Sequence, residues 1–215
     1  MENSSGLAIA VMVSGQGRGS NMAALIAACA NGTIPARVGV VIGTRSEMPA
    51  IFRAKEAGVA TAIVSPRKYE ETPDGYGETL LALLQKHNTG LICLAGYMRK
   101  LPEQVTSVFR HRVLNVHAAL LPLFGGQGMY GENVHRAVLE SGMKVTGCTV
   151  HFVDEQYDTG AIIVQRVVSI AEDDTPQTLA ARVIAEEHRA YVEAVRLFAQ
   201  GRLSIEGHRV RILPE

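Results

Sequence analysis

Leu7-Ala8-Ile9-Ala10-Val11-Met12-Val13, then Ser14-Gly15-Gln16-Gly17-Arg18-Gly19-Ser20-Asn21, then a helical pattern over 22–30, is the stretch that decides the fold. A continuous apolar run reads as a strand buried on both faces, which is the habit of a parallel sheet. Strand, glycine-rich turn and helix together form the first unit of a doubly wound α/β fold. Three glycines let the backbone approach an anion closely. The helix N-terminus behind them offers free N–H groups and the positive end of a dipole. The loop therefore reads as a phosphate cradle, with a tight βα turn as the plain alternative. It lacks the Lys-Ser/Thr pair of a nucleoside triphosphate site. Gly15, Gly17 and Ser20 approximate a dinucleotide fingerprint. The strand over 38–43, however, ends in Thr44-Arg45, where NAD would want an acid. Arg45 keeps NADP open as a rival to a smaller phosphate ester.

Further along, a helix over 48–58 ends at a glycine cap, and a strand covers 59–64. Residues 65–76 read as a surface loop and 77–87 as a helix. A fourth strand over 91–95 leads into Gly96-Tyr97-Met98-Arg99-Lys100-Leu101-Pro102, a loop suited to a flat ligand or to plain connection. The fifth strand, over 112–117, carries the chemistry. Asn115 and His117 are two apart and share a face. At the carboxyl end of a strand, an amide can donate to an oxyanion and an imidazole can move protons. Residues 123–131 hold four glycines and read as a lid. A helix over 132–141 follows. The strands over 145–153 and 161–170 make a hairpin whose acidic turn contains Asp158, and Thr149 and His151 share one face. Thr175-Pro176 starts a long helix to about 200, with Glu187 on its apolar stripe. A small hairpin over 202–212 closes the chain.

Composition narrows the function. The 215 residues are 47% hydrophobic, and Lys+Arg and Asp+Glu both number 21. No basic excess points to nucleic acid, and no polybasic run points to a membrane surface. No apolar run has the length of a membrane span. Met1 to Gly6 carries an acid and no basic n-region, so no secretory leader is expected. Cys29, Cys93 and Cys148 read as reduced core thiols of a cytoplasmic protein, and no metal-ligand spacing is present. The expectation is one α/β domain over 1–215. It is doubly wound, with a mostly parallel Rossmann-like sheet, a mixed C-terminal part and helices on both faces. An N-terminal phosphate-binding lobe spans about 7–110 and a C-terminal lobe about 111–215.

The sequence Asn115-Val116-His117-Ala118-Ala119-Leu120-Leu121-Pro122 resembles the Asn-x-His-Pro-Ser-Leu-Leu-Pro signature of the formyltetrahydrofolate-dependent formyltransferases. Gly19-Ser20-Asn21, Leu94 to Arg99, Gly147 to Val153, Tyr157-Asp158-Thr159-Gly160 and Glu187-His188 are similar to the branch acting on glycinamide ribonucleotide in purine biosynthesis. The chain departs from the family pattern in that Ala118-Ala119 replaces Pro-Ser, Gly17-Arg18 lengthens the glycine loop, and Gly128 to Gly131 is an insertion. Ile184 stands where some members carry a polar phosphate contact, a loss Arg18 could offset.

The resemblance implies transfer of the formyl group of 10-formyltetrahydrofolate to the ribonucleotide amine, without a metal. It implies Asn115, His117 and Asp158 as catalytic residues, with His151 supporting. Gly19, Ser20, Asn21 and Glu187 would bind the ribonucleotide. Arg67, Met98, Arg99, Lys100 and Leu101, with Asp154, Glu155, Gln156 and Tyr157, would bind the folate. Asp158 is expected to hold His117 in its cationic form. The partners implied are small molecules, not nucleic acid or membrane, and the chain would act as a monomer or homodimer. A sister formyltetrahydrofolate hydrolase or formyltransferase is the nearest alternative, and an NADP-dependent reductase a more distant one.

Overall fold

The computed structural model describes residues 6–15 and 17–215. The stretch read for a leader falls mostly outside these residues, as does Gln16 of the glycine loop. The chain divides into two compact units, one ending at Leu114 and one running from Asn115 to Glu215.

The first unit opens with β1 (Leu7–Val13), α1 (Ser20–Ala30), β2 (Ala36–Gly43), α2 (Pro49–Glu56) and β3 (Thr61–Ile63). A 3-10 turn (Pro66–Tyr69), α3 (Pro73–Lys86), β4 (Thr89–Leu94) and α4 (Glu103–Val108) follow. Its strands pair in parallel, β2 beside both β1 and β3, and β1 beside β4. Ile9 to Met12 are completely buried, as a central parallel strand requires. Because β1 and β4 run alongside each other, their carboxyl ends place Ser14 next to Gly96, whose carbonyl accepts the Ser14 N–H at 3.3 Å.

Two expectations change here. The strand read over 59–64 shrinks to three residues. Val59 is used in closing α2 instead: its N–H reaches the Ala54 carbonyl at 3.0 Å and that of Gly58 the Lys55 carbonyl at 2.9 Å, a Schellman stop. The surface loop over 65–76 is largely helical. Pro73 occupies the first turn of α3, where its missing N–H costs nothing, so the helix starts four residues before the expected Gly77. Cys93 and Cys148 lie in the core, whereas Cys29 is only half-buried. Burial pushes the Cys29 thiol up to about 11 and that of Cys148 up to about 12.

The strand β5 (Val113–His117) carries the division between the units. The second unit continues with α5 (Glu132–Glu140), β6 (Val145–Phe152), β7 (Ile162–Ser169), α6 (Pro176–Ala199), β8 (Leu203–Glu206) and β9 (Arg209–Ile212). Its sheet is mixed: β6 with β7 and β8 with β9 are antiparallel, and β9 meets β7 in parallel. Thr175 caps α6 in a reciprocal box with Thr178. The apolar stripe of α6, including Leu179, Val183, Tyr191 and Val195, is fully buried, and α6 packs on β6 and β7.

The β6–β7 register slips between Val150 and His151: Val150 faces Val164 while His151 faces Ile162. Such a bulge bends the strand and re-aims the side chains beside it. Gly147 sits where β6 passes very close to β7. A Cβ there would lie 1.9 Å from the Arg166 carbonyl oxygen. Gly147→Ala is therefore expected to destabilise the protein by about 1–3 kcal/mol or more, read as a lowered Tm. An unchanged Tm would show that the two strands separate freely at this point.

Candidate active site

Within the second unit, β5 delivers Asn115 and His117 on its last three residues, and the 6%-exposed His117 is buried. The acidic turn after β6 returns Asp158 to the same place, with φ 58, a left-handed conformation uncommon outside glycine. Its side chain is 11% exposed. One carboxylate oxygen of Asp158 lies 3.7 Å from His117 Nδ1, and the other lies 3.5 Å from His151 Nε2. Asn115 Nδ2 is 3.2 Å from that same His151 nitrogen. The structure thus brings Asn115, His117, His151 and Asp158 into one cluster.

The hydrogen-bond partners set the proton positions. His151 Nδ1 faces the Phe152 carbonyl at 2.7 Å and must carry a proton to bond it. Its Nε2 then accepts from Asn115 when the ring is neutral, and donates to Asp158 when the ring is charged. His117 Nε2 lies 2.8 Å from the Phe124 carbonyl, so that nitrogen is a donor. The Gly126 N–H donates to Asp158 at 2.9 Å. The glycine-rich stretch read as a lid therefore reaches two of the three catalytic candidates, His117 and Asp158, through its backbone. Gly125 permits this closeness, since a Cβ there would stand 2.7 Å from Leu121 and 3.1 Å from Asp158.

The charge states depart from expectation in one respect. Burial would raise the Asp158 carboxyl, but the hydrogen bond of His151, the charge of His117 and the Gly126 N–H outweigh it, holding Asp158 below the usual carboxylate range. For His117, burial is the largest influence and pushes it below the ordinary imidazole value. Asp158 and the Phe124 carbonyl pull upward without overcoming burial. Asp158 thus does not lift His117 above the ordinary imidazole value. The 3.7 Å separation is long for an ion pair that must repay desolvation.

Burial likewise lowers His135 and His188. Each of these three imidazoles holds its proton less tightly in the folded chain, so the unfolded chain binds more protons below about pH 6.5. Their contribution is complete above that value and is lost as the pH falls. Asp158, depressed below 3.8, adds a loss at still lower pH. The Tm is expected to hold steady between about pH 8 and 7 and to fall below about 6.5. A Tm that rises on acidification would reverse the assigned directions.

Two residues that sequence reasoning left without a role hold the loop after His117. Thr149 Oγ1 donates to the Ala119 carbonyl at 2.7 Å and accepts the Leu121 N–H at 3.0 Å. Gln165 Nε2 donates to the Leu121 carbonyl at 2.9 Å and to Thr149 Oγ1 at 3.0 Å. The polar residues Thr149 and Gln165, inside otherwise apolar strands, are the signal that could have found them. The Leu121–Pro122 peptide is cis. Asp154 organises the acidic turn, accepting from Gln156 N at 2.9 Å and from Thr159 Oγ1 at 2.8 Å. Glu155, Gln156 and Tyr157 are exposed. Glu187 is a buried carboxylate on α6.

In the first unit, Gly19 is the N-cap of α1, at φ 68, and makes no side-chain cap bond. No acidic residue occupies the first turn, and Ser20 and Asn21 begin a helix whose positive N-terminal end favours an anion. A Cβ at Gly19 would meet Ala50 at 2.7 Å, so conformation and space both demand glycine. Arg45 Nη2 donates to the Gly15 carbonyl at 3.3 Å. Met98, Arg99 and Lys100 are exposed on the loop after β4. Leu101 is 4% exposed and belongs to the core, leaving only its backbone for a ligand. Arg67 stands exposed on the 3-10 turn.

Among the described residues no cluster of three or more His, Cys, Asp or Glu could hold a metal ion. Nor is any helix of the described residues long and apolar enough to cross a membrane.

Comparison with known proteins adds independent findings. The formyl transferase family model matches residues 7–195. A chloroplastic phosphoribosylglycinamide formyltransferase of Arabidopsis thaliana is 39% identical over 196 residues, which are 91% of this chain and 66% of that protein. The chain likewise spans 62% of the Vigna unguiculata relative. The phosphoribosylglycinamide formyltransferase of Haemophilus influenzae is 35% identical, over 92% of this chain and 90% of its own. Among solved structures, glycinamide ribonucleotide transformylase 1 from Symbiobacterium toebii superposes with a TM-score of 0.91 at 44% identity, covering 99% of this chain and 96% of that one.

Proposed function

The chain belongs to the formyl transferase family, and from that premise we propose that it transfers the formyl group of 10-formyltetrahydrofolate to the amine of glycinamide ribonucleotide. The observation that carries the reading is the cluster of Asn115, His117, His151 and Asp158 on one strand end and one turn. It offers an amide donor, an imidazole and an ionised carboxylate together. The names of the relatives from Haemophilus influenzae and Symbiobacterium toebii support the choice of substrates.

The attacking group is a glycyl amine with a pKa of about 8, so a useful fraction is free base near neutrality. Its lone pair forms the new C–N bond as the formyl C=O becomes an oxyanion. Asn115 Nδ2 donates to that oxygen, and the single N–H of neutral His117, on Nε2, joins it by leaving the Phe124 carbonyl that it bonds in this structure. A neutral imidazole can do this with one proton, and the oxyanion's own charge raises His117 as it forms. Asp158, ionised by its surroundings, takes the proton of the new ammonium through water and passes it to N10. The C–N10 bond then breaks and tetrahydrofolate leaves as a neutral amine. No covalent enzyme intermediate is needed.

Gly19, Ser20 and Asn21 hold the ribonucleotide phosphate in this reading, and Glu187 its sugar and glycinamide portion. Met98, Arg99, Lys100 and Arg67 contact the folate, with the Leu101 backbone and the turn from Asp154 to Tyr157. Incubation with glycinamide ribonucleotide and 10-formyltetrahydrofolate should yield the formylated ribonucleotide and tetrahydrofolate in equal amounts. Release of formate without formylated product would identify a hydrolase instead.

A further inference from the structure

We infer that Ser14 is a positioning residue that couples occupancy of the phosphate loop to the order of the folate loop. The inference rests on the assignment of those two loops given above. Ser14 is the first residue after β1 and the point from which the glycine loop departs. It is 7% exposed. Its hydroxyl accepts the Met98 N–H at 2.7 Å and donates to the Gly96 carbonyl at 3.3 Å, and its own N–H meets that same carbonyl. One side chain thus closes the turn from Gly96 to Met98, where Gly96 has φ 71. Beyond this bolt the chain is exposed at Met98, Arg99 and Lys100, the residues assigned to the folate.

The neighbouring backbone has two contacts on the other side. The Gly15 carbonyl accepts from Arg45, and Gly19 is wedged against Ala50. A phosphate that fixes the glycine loop therefore also fixes Ser14, and with it the amide of Met98. Ordering shared in this way appears as positive cooperativity: the second ligand finds part of its conformational cost already met. A serine required only to end a strand would show no such dependence.

Amide hydrogen exchange on the unaltered protein tests this directly. Saturation with glycinamide ribonucleotide is expected to slow exchange at residues 19–22 and also at Met98, by about fivefold or more, the lower range of allosteric coupling. Slowing at 19–22 with no change at Met98 would overturn the coupling and leave the phosphate assignment standing. No slowing at 19–22 would overturn the phosphate assignment itself, and the coupling with it. In parallel, the Kd of tetrahydrofolate is expected to fall about fivefold or more in the presence of the ribonucleotide. In Ser14→Ala that ratio should collapse to one, with KM raised for both substrates and kcat little changed. Retention of the full ratio in a folded Ser14→Ala protein would assign the coupling elsewhere.

Discussion

Asp158→Asn is expected to abolish most activity while leaving the fold and both KM values close to normal, and His117→Ala to lower kcat by about 10²–10⁴. The two losses should not add. The replacement is nearly isosteric but exchanges an acceptor for a donor. Oδ2 of Asp158 accepts the Gly126 N–H, and Oδ1 faces His151 Nε2. An amide with its oxygen toward Gly126 aims its NH₂ at the one lone pair on His151 that already receives Asn115. The flipped amide sets its NH₂ against the Gly126 N–H. Either orientation leaves a donor unmet and removes the charge that takes the migrating proton. Asn115→Ala should cost about 10²–10³ in kcat, as for loss of one oxyanion donor. A double-mutant cycle on kcat/KM, with unfolding monitored in parallel, checks the coupling. Strict additivity of His117→Ala and Asp158→Asn would show that the two act on separate events. Activity close to that of the parent in either single variant would remove that residue from the chemistry.

The direction in which His117 shifts is what local sequence leaves open, and the reason is general. A charged pair can be guessed from residue types, but its sign is set by how much water each partner has lost and by the gap between them. Neither is written in local sequence. Asn115 and His117 themselves were legible because strand alternation is a rigid geometric rule, and β5 follows it. The βα unit around Gly19 was legible because an apolar run, glycines and a helical pattern all agree. Thr149 and Gln165 were not, since their partners, Ala119 and Leu121, are 30 and 44 residues away in the chain. The slip between Val150 and His151 depends on which residue of β7 lies opposite, again a non-local fact. The early start of α3 was misread for a different reason. A polar stretch around Pro73 reads as loop, although in a first turn proline supports a helix.

Ser20→Asp is expected to raise KM for glycinamide ribonucleotide by at least about tenfold, with the folate KM much less affected and kcat at saturation largely retained. The helix α1 begins at Ser20 with no capping side chain and no acid in its first turn. A carboxylate there does two things to an incoming phosphate. It places like charge beside it, and it satisfies the first-turn N–H groups that the phosphate would otherwise engage. The second effect also predicts a compensation: an acid in the first turn of an uncapped helix should raise Tm slightly, by the few tenths of a kcal/mol such charges contribute. The variant would therefore be more stable and bind less well, a combination that general misfolding cannot produce. Gly19→Val attacks the same site through shape. Its Cβ would meet Ala50 at 2.7 Å from a backbone at φ 68, so α1 must shift to admit it. That variant should lose both stability and ribonucleotide affinity. Equilibrium binding of the ribonucleotide to the two variants, alongside their Tm values, separates charge from shape. Normal ribonucleotide affinity in Ser20→Asp would show that the phosphate is held somewhere other than the start of α1.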